Sequence, residues 1–359
     1  MVKITEREKE ILKILQNDPM ISQEDLAELV GITRSATAVH ISNLIKKGFI
    51  LGRGYVFNDK TGVLVLGPVY VEVRALTGDG DDGSAKIDIA PGGAAYLLAR
   101  HLAGQGIPTS LMSVMGRDDW GEIIAAKLKK NNVDTKFLLV QKEYPTPRRV
   151  TLVDEGNNKI TEISDRRALE LLTGDNLQTM GVMVGNCRML VMDTGIPVGV
   201  FRYVLGLAKE AEVPVCVRIS DENTSQLRLD DLNGLFMVIM TGVVAGGLTN
   251  SQVRDLDDGI KTGKILNSLG AETVVTVLPD QGVVLTGARE TVSVPILPVK
   301  GVKGVEGKIH ELSVDVLTAG VVSGILHGYD YRQAIRLGLG MATHWVGKSR
   351  NLAELQEKQ

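Results

Sequence analysis

A chain of 359 residues is too long for one ordinary domain and predicts two, with ample apolar material for a large core. A formal net charge of −3 excludes a uniformly basic, nucleic-acid-coating protein, but it leaves room for a local basic face. Cys187 and Cys216 lie in separate apolar runs and read as buried small hydrophobes of a reducing compartment rather than a disulfide or metal pair. No run approaches the roughly 20 apolar residues of a membrane span, no metal-ligand cluster is legible, and the expected location is the cytoplasm.

Thr5-Glu6-Arg7-Glu8 has the spacing of a capping box, and Ile11, Leu12, Ile14 and Leu15 supply the apolar stripe of a first helix that Asn17-Asp18-Pro19 ends. Ser22 caps a second helix over residues 23–30, with Leu26, Leu29 and Val30 turned inward and Gly31 as the turn. Thr33 caps a third over 34–47 that buries Val39, Ile41, Leu44 and Ile45 and leaves Arg34, Ser35, Thr37, His40, Asn43 and Lys47 outside. Phe49-Ile50-Leu51 and Tyr55-Val56-Phe57 flank Gly52-Arg53-Gly54, a hairpin signal. From Thr33 to Arg53 there are bases and no acids, so positive charge is segregated onto the third helix and the hairpin.

The polar stretch Asn58 to Gly62 then gives way to Val63-Leu64-Val65-Leu66-Gly67, a buried strand. Strand runs alternate with helical patterns from there on: helix 94–104, strand 109–114, helix 120–131, strand 189–193, helix 198–211, strand 214–218, strand 237–240, helix 251–269, strand 273–278 and helix 313–328. Such alternation predicts an α/β domain with a mainly parallel sheet and helices on both faces. Segments 70–89 and 148–163, the second turning at Glu155-Gly156-Asn157-Asn158, predict a small β lid over the C-terminal edge of that sheet, where ligands of such folds bind. Near the end, a Gly- and Lys-bearing loop runs through His310-Glu311-Leu312-Ser313-Val314-Asp315 into an apolar helix, a start able to hold an anion.

Three helices followed by a hairpin resemble a winged helix-turn-helix domain over residues 1–57, with 58–62 as linker. That resemblance implies double-stranded DNA as partner, with Arg34, Ser35, Thr37 and Ala38 reaching base edges and Lys46, Lys47 and Arg53 meeting phosphates; protein contact or dimerisation is the other use of such a fold. Residues 63–350, followed by a tail at 351–359, resemble the ribokinase (PfkB) family of sugar and nucleoside kinases, nearest its pseudouridine-kinase-like branch. The features carrying this resemblance are the first strand, the lid, Pro91-Gly92-Gly93-Ala94-Ala95 and Gly116-Arg117-Asp118-Asp119-Trp120-Gly121.

Family membership implies ATP-dependent phosphorylation of a hydroxymethyl group. In that scheme Glu72, Gly92, Gly93 and Asp315 fall at ligand-binding positions and Asp315 at the catalytic base. Other positions depart from the family pattern: Leu97 stands for a substrate-binding Asn, Arg218-Ile219 for Asp-Pro, and Thr241-Gly242-Val243-Val244 for the Asn-x-x-Glu that organises magnesium. Val277 to Gly282 keeps only its last Gly of the nucleotide motif, and Leu312-Ser313-Val314-Asp315 replaces Gly-Ala-Gly-Asp. Phosphoryl transfer depends on positioning and charge stabilisation, so these losses fall on one step. The expectation is a DNA-binding transcriptional regulator, as a homodimer, whose degenerate kinase-like domain senses a sugar, nucleoside or phosphorylated metabolite and uses no cofactor. The alternative is an active kinase, which would need ATP and magnesium. The plain roles are an acid in a helix first turn for Asp315, a lid acid for Glu72 and a tight turn for Gly92 and Gly93.

Overall fold

The computed structural model describes residues 4–18, 21–50, 62–77, 85–154, 159–173, 180–222, 224–279, 281–288, 290–296 and 314–356. The N-terminal unit consists of α1 (Glu6–Asn17), α2 (Gln23–Val30) and α3 (Arg34–Lys46). The capping box closes as its residue types require: Thr5 Oγ1 accepts from the Glu8 amide at 3.2 Å and Glu8 Oε2 accepts from the Thr5 amide at 2.7 Å. Ser22 and Thr33 cap α2 and α3 in the same manner. Ile11, Leu15, Leu26, Val30, Ile41, Leu44 and Ile50 form the core of this unit.

The rotation of α3 differs from the reading of its apolar residues. Thr37, Ile41 and Leu44, spaced four and three apart, face inward, while Val39 is 59 % and Ile45 45 % exposed. Two residues turn a helix by roughly 200°, so Val39 cannot share a face with Thr37. In α2, Ala27 packs inward and Leu29 is 65 % exposed. The hairpin tip, including Arg53, and nearly all of the linker lie outside the described residues.

The second unit opens with β1 (Val63–Leu66), then β2 (Tyr70–Thr77), β3 (Ala85–Gly92), α4 (Ala94–Gly104), β4 (Thr109–Gly116), α5 (Asp119–Lys130), β5 (Val133–Asp134) and β6 (Leu138–Gln141). It continues through β7 (Arg148–Val153), β8 (Lys159–Asp165), α6 (Met180–Asn186), β9 (Met189–Asp193), α7 (Val198–Glu210), β10 (Val215–Arg218) and β11 (Met237–Thr241). The last elements are α8 (Gly242–Thr249), α9 (Leu256–Ser268), β12 (Thr273–Leu278), β13 (Gly282–Gly287), β14 (Thr291–Pro295), α10 (Val314–Leu326) and α11 (Tyr331–Gln356).

Among the described residues the large sheet runs β14-β13-β12-β11-β10-β9-β1-β4-β5, with β6 beside the end of β4. It is parallel from β5 to β12 and antiparallel at β13 and β14. Strand β1 shows why both faces carry helices. Val63 and Val65 enter the core formed with α4, α10 and α11, whereas Leu64 and Leu66 enter the opposite core with α7. Each such burial contributes about 2 kcal/mol. The expected helix 251–269 begins only at Leu256, because Asp255 caps it, and α8 precedes it; α11 extends through most of the expected tail. The lid is a separate four-stranded sheet, β3-β2-β7-β8. Cys187 and Cys216 are buried and are not joined in a disulfide. Among the described residues, no helix is long and apolar enough to cross a membrane.

Candidate functional site

The chain passes from β1 to β4 and β5 on one side and later returns to β9 on the other side of β1, so the strand order switches between β1 and β9. A crevice opens at such a point outside the carboxyl ends of the strands. Asp193 ends β9, and the sheet register sets Arg218 at the end of β10 directly beside it. The Arg218 guanidinium lies 3.2 Å from Asp193 Oδ2 through Nη1 and 2.9 Å from Asp315 Oδ1, in the first turn of α10, through Nε. The second contact is an ion pair without an aligned hydrogen bond, since both its atoms lack a hydrogen-bond partner. Burial pushes the Asp193 carboxyl up to about 6, Arg218 opposes the shift, and Asp315 adds to it. Burial disfavours the charged form of Arg218, but Asp315 and then Asp193 outweigh it and raise its pKa.

A second cluster joins the lid to the edge of the large sheet. Tyr70 and Glu72 come from β2, Arg149 from β7, Arg166 from just beyond β8, and Glu222 from the loop after β10. Arg149 binds Glu222 and stacks 4.3 Å over the Tyr70 ring, with Glu72 at 3.6 Å and Glu162 at 3.8 Å. Glu222 Oε2 also forms an ion pair with Arg166 Nη1 at 3.0 Å and accepts from the Tyr70 hydroxyl at 3.2 Å. Arg166 donates to the Gly195 carbonyl at 2.7 Å, and the Gly195 amide donates to Asp193 Oδ1 at 2.7 Å. The lid and the strand ends therefore share one chain of polar contacts.

The residues singled out in the sequence have distinct places here. Gly92 lets Glu72 lie flat against the backbone, because a Cβ there would collide with the Glu72 side chain. Gly93 holds φ at 92° and passes within 2.7 Å of the Pro68 carbonyl at its Cβ position, which only glycine tolerates easily. Leu97 packs against the core. Burial raises the Glu72 carboxyl to about 7, with Arg149 opposing the shift. The penalty for ionising it is absent below its ordinary value of 4.5 and complete above 7. Glu72→Gln should therefore gain about 2 kcal/mol on wild type between pH 4.5 and pH 8, read as the change in their stability difference by denaturant unfolding, with partial exposure already discounted. A difference that does not vary with pH would contradict it.

At the positions that resemblance assigns to magnesium and phosphate, Thr241 Oγ1 accepts from the Val244 amide to cap α8, and Gly242, Val243 and Val244 carry no carboxylate. These residues do not fit a magnesium–nucleotide group. Glu311, Leu312 and Ser313 lie outside the described residues. Asp118 caps α5 through Gly121 and accepts from Thr146, so the Gly116–Gly121 motif anchors the strand that leads into the lid.

Sequence reasoning missed Tyr70, Arg149, Arg166, Asp193 and Glu222. Asp193 carried a signal, a lone acid closing the apolar run Met189-Leu190-Val191-Met192 at the edge where ligands bind. Glu222, in a polar loop, carried none.

On α3, Arg34 and Ser35 are exposed and Ala38 is half-buried, with Val39, Ser42 and Lys46 continuing the outward stripe. Two of the expected DNA contacts are corrected. Thr37 is 0 % exposed and its hydroxyl donates to the Thr33 carbonyl, so it packs within the unit rather than reading bases. Lys47 is bound 2.7 Å from the buried Glu8, whose carboxyl burial would raise but Lys47 and Thr5 hold below its usual range. Its charge joins α3 to α1 instead of standing free for phosphate.

Comparison with known proteins is consistent with both units. Residues 60–356 match the model of the pfkB family carbohydrate kinases, and residues 4–50 that of winged helix-turn-helix DNA-binding domains. An uncharacterized sugar kinase of Escherichia coli, YeiI, is 25 % identical over 346 residues, covering 94 % of this chain and 92 % of that one. The pseudouridine kinase of Escherichia coli is 23 % identical over 202 residues, 53 % of this chain and 64 % of that protein. Among solved structures, Arabidopsis thaliana ribokinase complexed with ribose and ATP superposes with a TM-score of 0.67 at 17 % identity, over 79 % of this chain and 91 % of that one. A carbohydrate kinase from Agrobacterium tumefaciens gives 0.64 at 20 % identity, over 79 % and 89 %.

Proposed function

The chain belongs to the pfkB family of carbohydrate kinases and carries a winged helix-turn-helix DNA-binding domain ahead of that fold, and we propose that it is a transcriptional regulator whose kinase-like domain senses a small molecule without phosphorylating it. The observation that carries this reading is Arg218. It stands where the family has an Asp-Pro pair and ties one carboxylate oxygen of Asp315, the residue at the family's base position, into an ion pair. The Thr241–Val244 positions add no carboxylate for magnesium, which acts against the same step.

The effector, a sugar, nucleoside or phosphorylated metabolite, enters between the lid and the ends of β9 and β10. It acts by binding one lid position more tightly than another, which shifts the spacing of two DNA-binding units in a cytoplasmic homodimer relative to operator half-sites. Arg34, Ser35, Ala38 and Ser42 read bases, and Lys46 and Arg53 meet phosphates.

The retained Asp315, buried at a helix start, favours a second reading as an active ATP-dependent sugar or nucleoside kinase. Assaying the full chain with ATP and magnesium against a panel of sugars and nucleosides separates the two. The sensor reading expects no turnover above background, and turnover abolished by Asp315→Ala would sink it. Titration of its own upstream DNA at two salt concentrations tests the regulator half: Lys46→Ala weakens all duplexes alike, whereas Ser35→Ala or Ser42→Ala alters sequence preference. Equal affinity for every duplex removes that half.

A further inference from the structure

The Glu222 carboxylate is surrounded by an anion-binding donor set. Arg149, Arg166 and the Tyr70 hydroxyl all approach it, and each belongs to the lid or its root, whereas Glu222 belongs to the loop after β10. These three contacts of its carboxylate all cross the seam that a ligand must part. Two guanidinium groups and a hydroxyl converging on one carboxylate form the kind of charge-assisted cluster that recognises small anions.

The surroundings also carry unmet polar demand. Arg149 Nε and Arg218 Nε are buried donors without a hydrogen-bond acceptor, and Asp315 Oδ1 is a buried acceptor without an aligned donor. Buried polar atoms of this kind normally have partners, so a ligand bearing hydroxyls and an acidic group would satisfy more of the site than the closed protein does. A neutral ligand that parted the seam would leave Arg166 without the acid it pairs with and Arg149 with only Glu72 and Glu162 beside it, and unpairing sheltered charges is costly. An acidic ligand replaces what it displaces. Glu72, Glu162, Asp193 and Asp315 ring the same space, so a ligand with one acidic group is accepted and a polyphosphate is repelled.

We propose that the site beneath the lid takes a small polyol bearing one carboxylate or phosphate, and that Glu222 is its internal stand-in, displaced when the ligand binds. The inference rests on the sensor reading only in requiring that a small molecule enters under the lid.

Isothermal titration calorimetry of the full chain with ribose 5-phosphate, gluconate and ribose tests it. At least one of the two acids should bind about tenfold more tightly than ribose, and Glu222→Gln, which removes the competing charge, should tighten that acid about tenfold further. Arg166→Gln should abolish the preference for acid over ribose. Which acid binds distinguishes a carboxylate from a phosphate ligand. Ribose binding as tightly as both acids overturns the proposal, as does a folded Glu222→Gln protein that binds neither acid more tightly than wild type. Circular dichroism establishes folding, and if Glu222→Gln does not fold, the Arg166→Gln comparison decides alone: an unchanged preference overturns the proposal. A ribose-preferring site would leave the sensor reading standing with a neutral effector. ATP turnover would remove the sensor reading while the anion preference could still be measured.

Discussion

Replacing Arg218 with alanine is expected to destabilise the folded protein by about 3–5 kcal/mol at pH 8, because it leaves charges buried without their partner. Asp193 is 1 % exposed and Asp315 9 %, and Arg218 is the cation in contact with both. Without it the two carboxylates repel each other across the ends of β9 and α10, and the cheapest response is for one to take up a proton. The pH dependence has a defined sign. The Asp193 carboxyl already sits near 6 against an ordinary 3.8, so its protonated form favours folding below about 4 and that advantage is lost as pH rises through 6. Removing Arg218 moves this loss to higher pH and enlarges it. Urea unfolding of wild type and Arg218→Ala at pH 5 and pH 8 should show a deficit that narrows toward pH 5. Equal stability at pH 8 would mean that the arginine does not hold the site together.

Gly320→Leu should cost about 3 kcal/mol or more. A Cβ at Gly320 would lie 2.5 Å from the Gly338 Cα, and one at Gly338 would lie 2.7 Å from the Leu317 carbonyl oxygen, so α10 and α11 meet backbone to backbone. The obstacle is main chain, which no rotamer change relieves, and the helices must separate. Asp315 rides on the first turn of α10, so the same change should disturb the contact with Arg218. Gly340→Ala, also in α11 but with nothing within 4 Å of its Cβ position, is the control and should change stability little or raise it slightly. Thermal unfolding of the two variants checks both statements, and a Gly320→Leu protein melting with wild type would contradict the close packing.

Much of the architecture was legible in one chain because it depends on local chemistry. Thr5, Ser22 and Thr33 announce helix starts by the hydrogen bonds their side chains make within a few residues, and the apolar runs Val63–Leu66, Met189–Asp193 and Thr273–Leu278 declare buried strands by their length and composition. Arg218 was visible as a departure from the family pattern, and Glu72 and Asp315 as charges at the expected positions. The rotation of α3 was less accessible. Thr37 faces inward and Val39 outward because the helix packs on Ile11 and Leu26 from other helices, and no property of α3 alone distinguishes a buried threonine from an exposed valine. Lys47 likewise read as a free charge until α1 brought Glu8 against it.

The sequence by itself therefore determined the two units, most of the order of strands and helices in the α/β domain, and the absence of a carboxylate from Thr241 to Val244, since each is a matter of residue type and short spacing. The tertiary structure decided where the charges go. Asp193 and Arg218 become neighbours through the register of β9 and β10, and Glu222, Arg149, Arg166 and Tyr70 meet only because the lid folds over the loop that follows β10. Ion pairs depend on distance through space, and residues 70, 149, 166 and 222 are too far apart in the chain for any local pattern to have joined them.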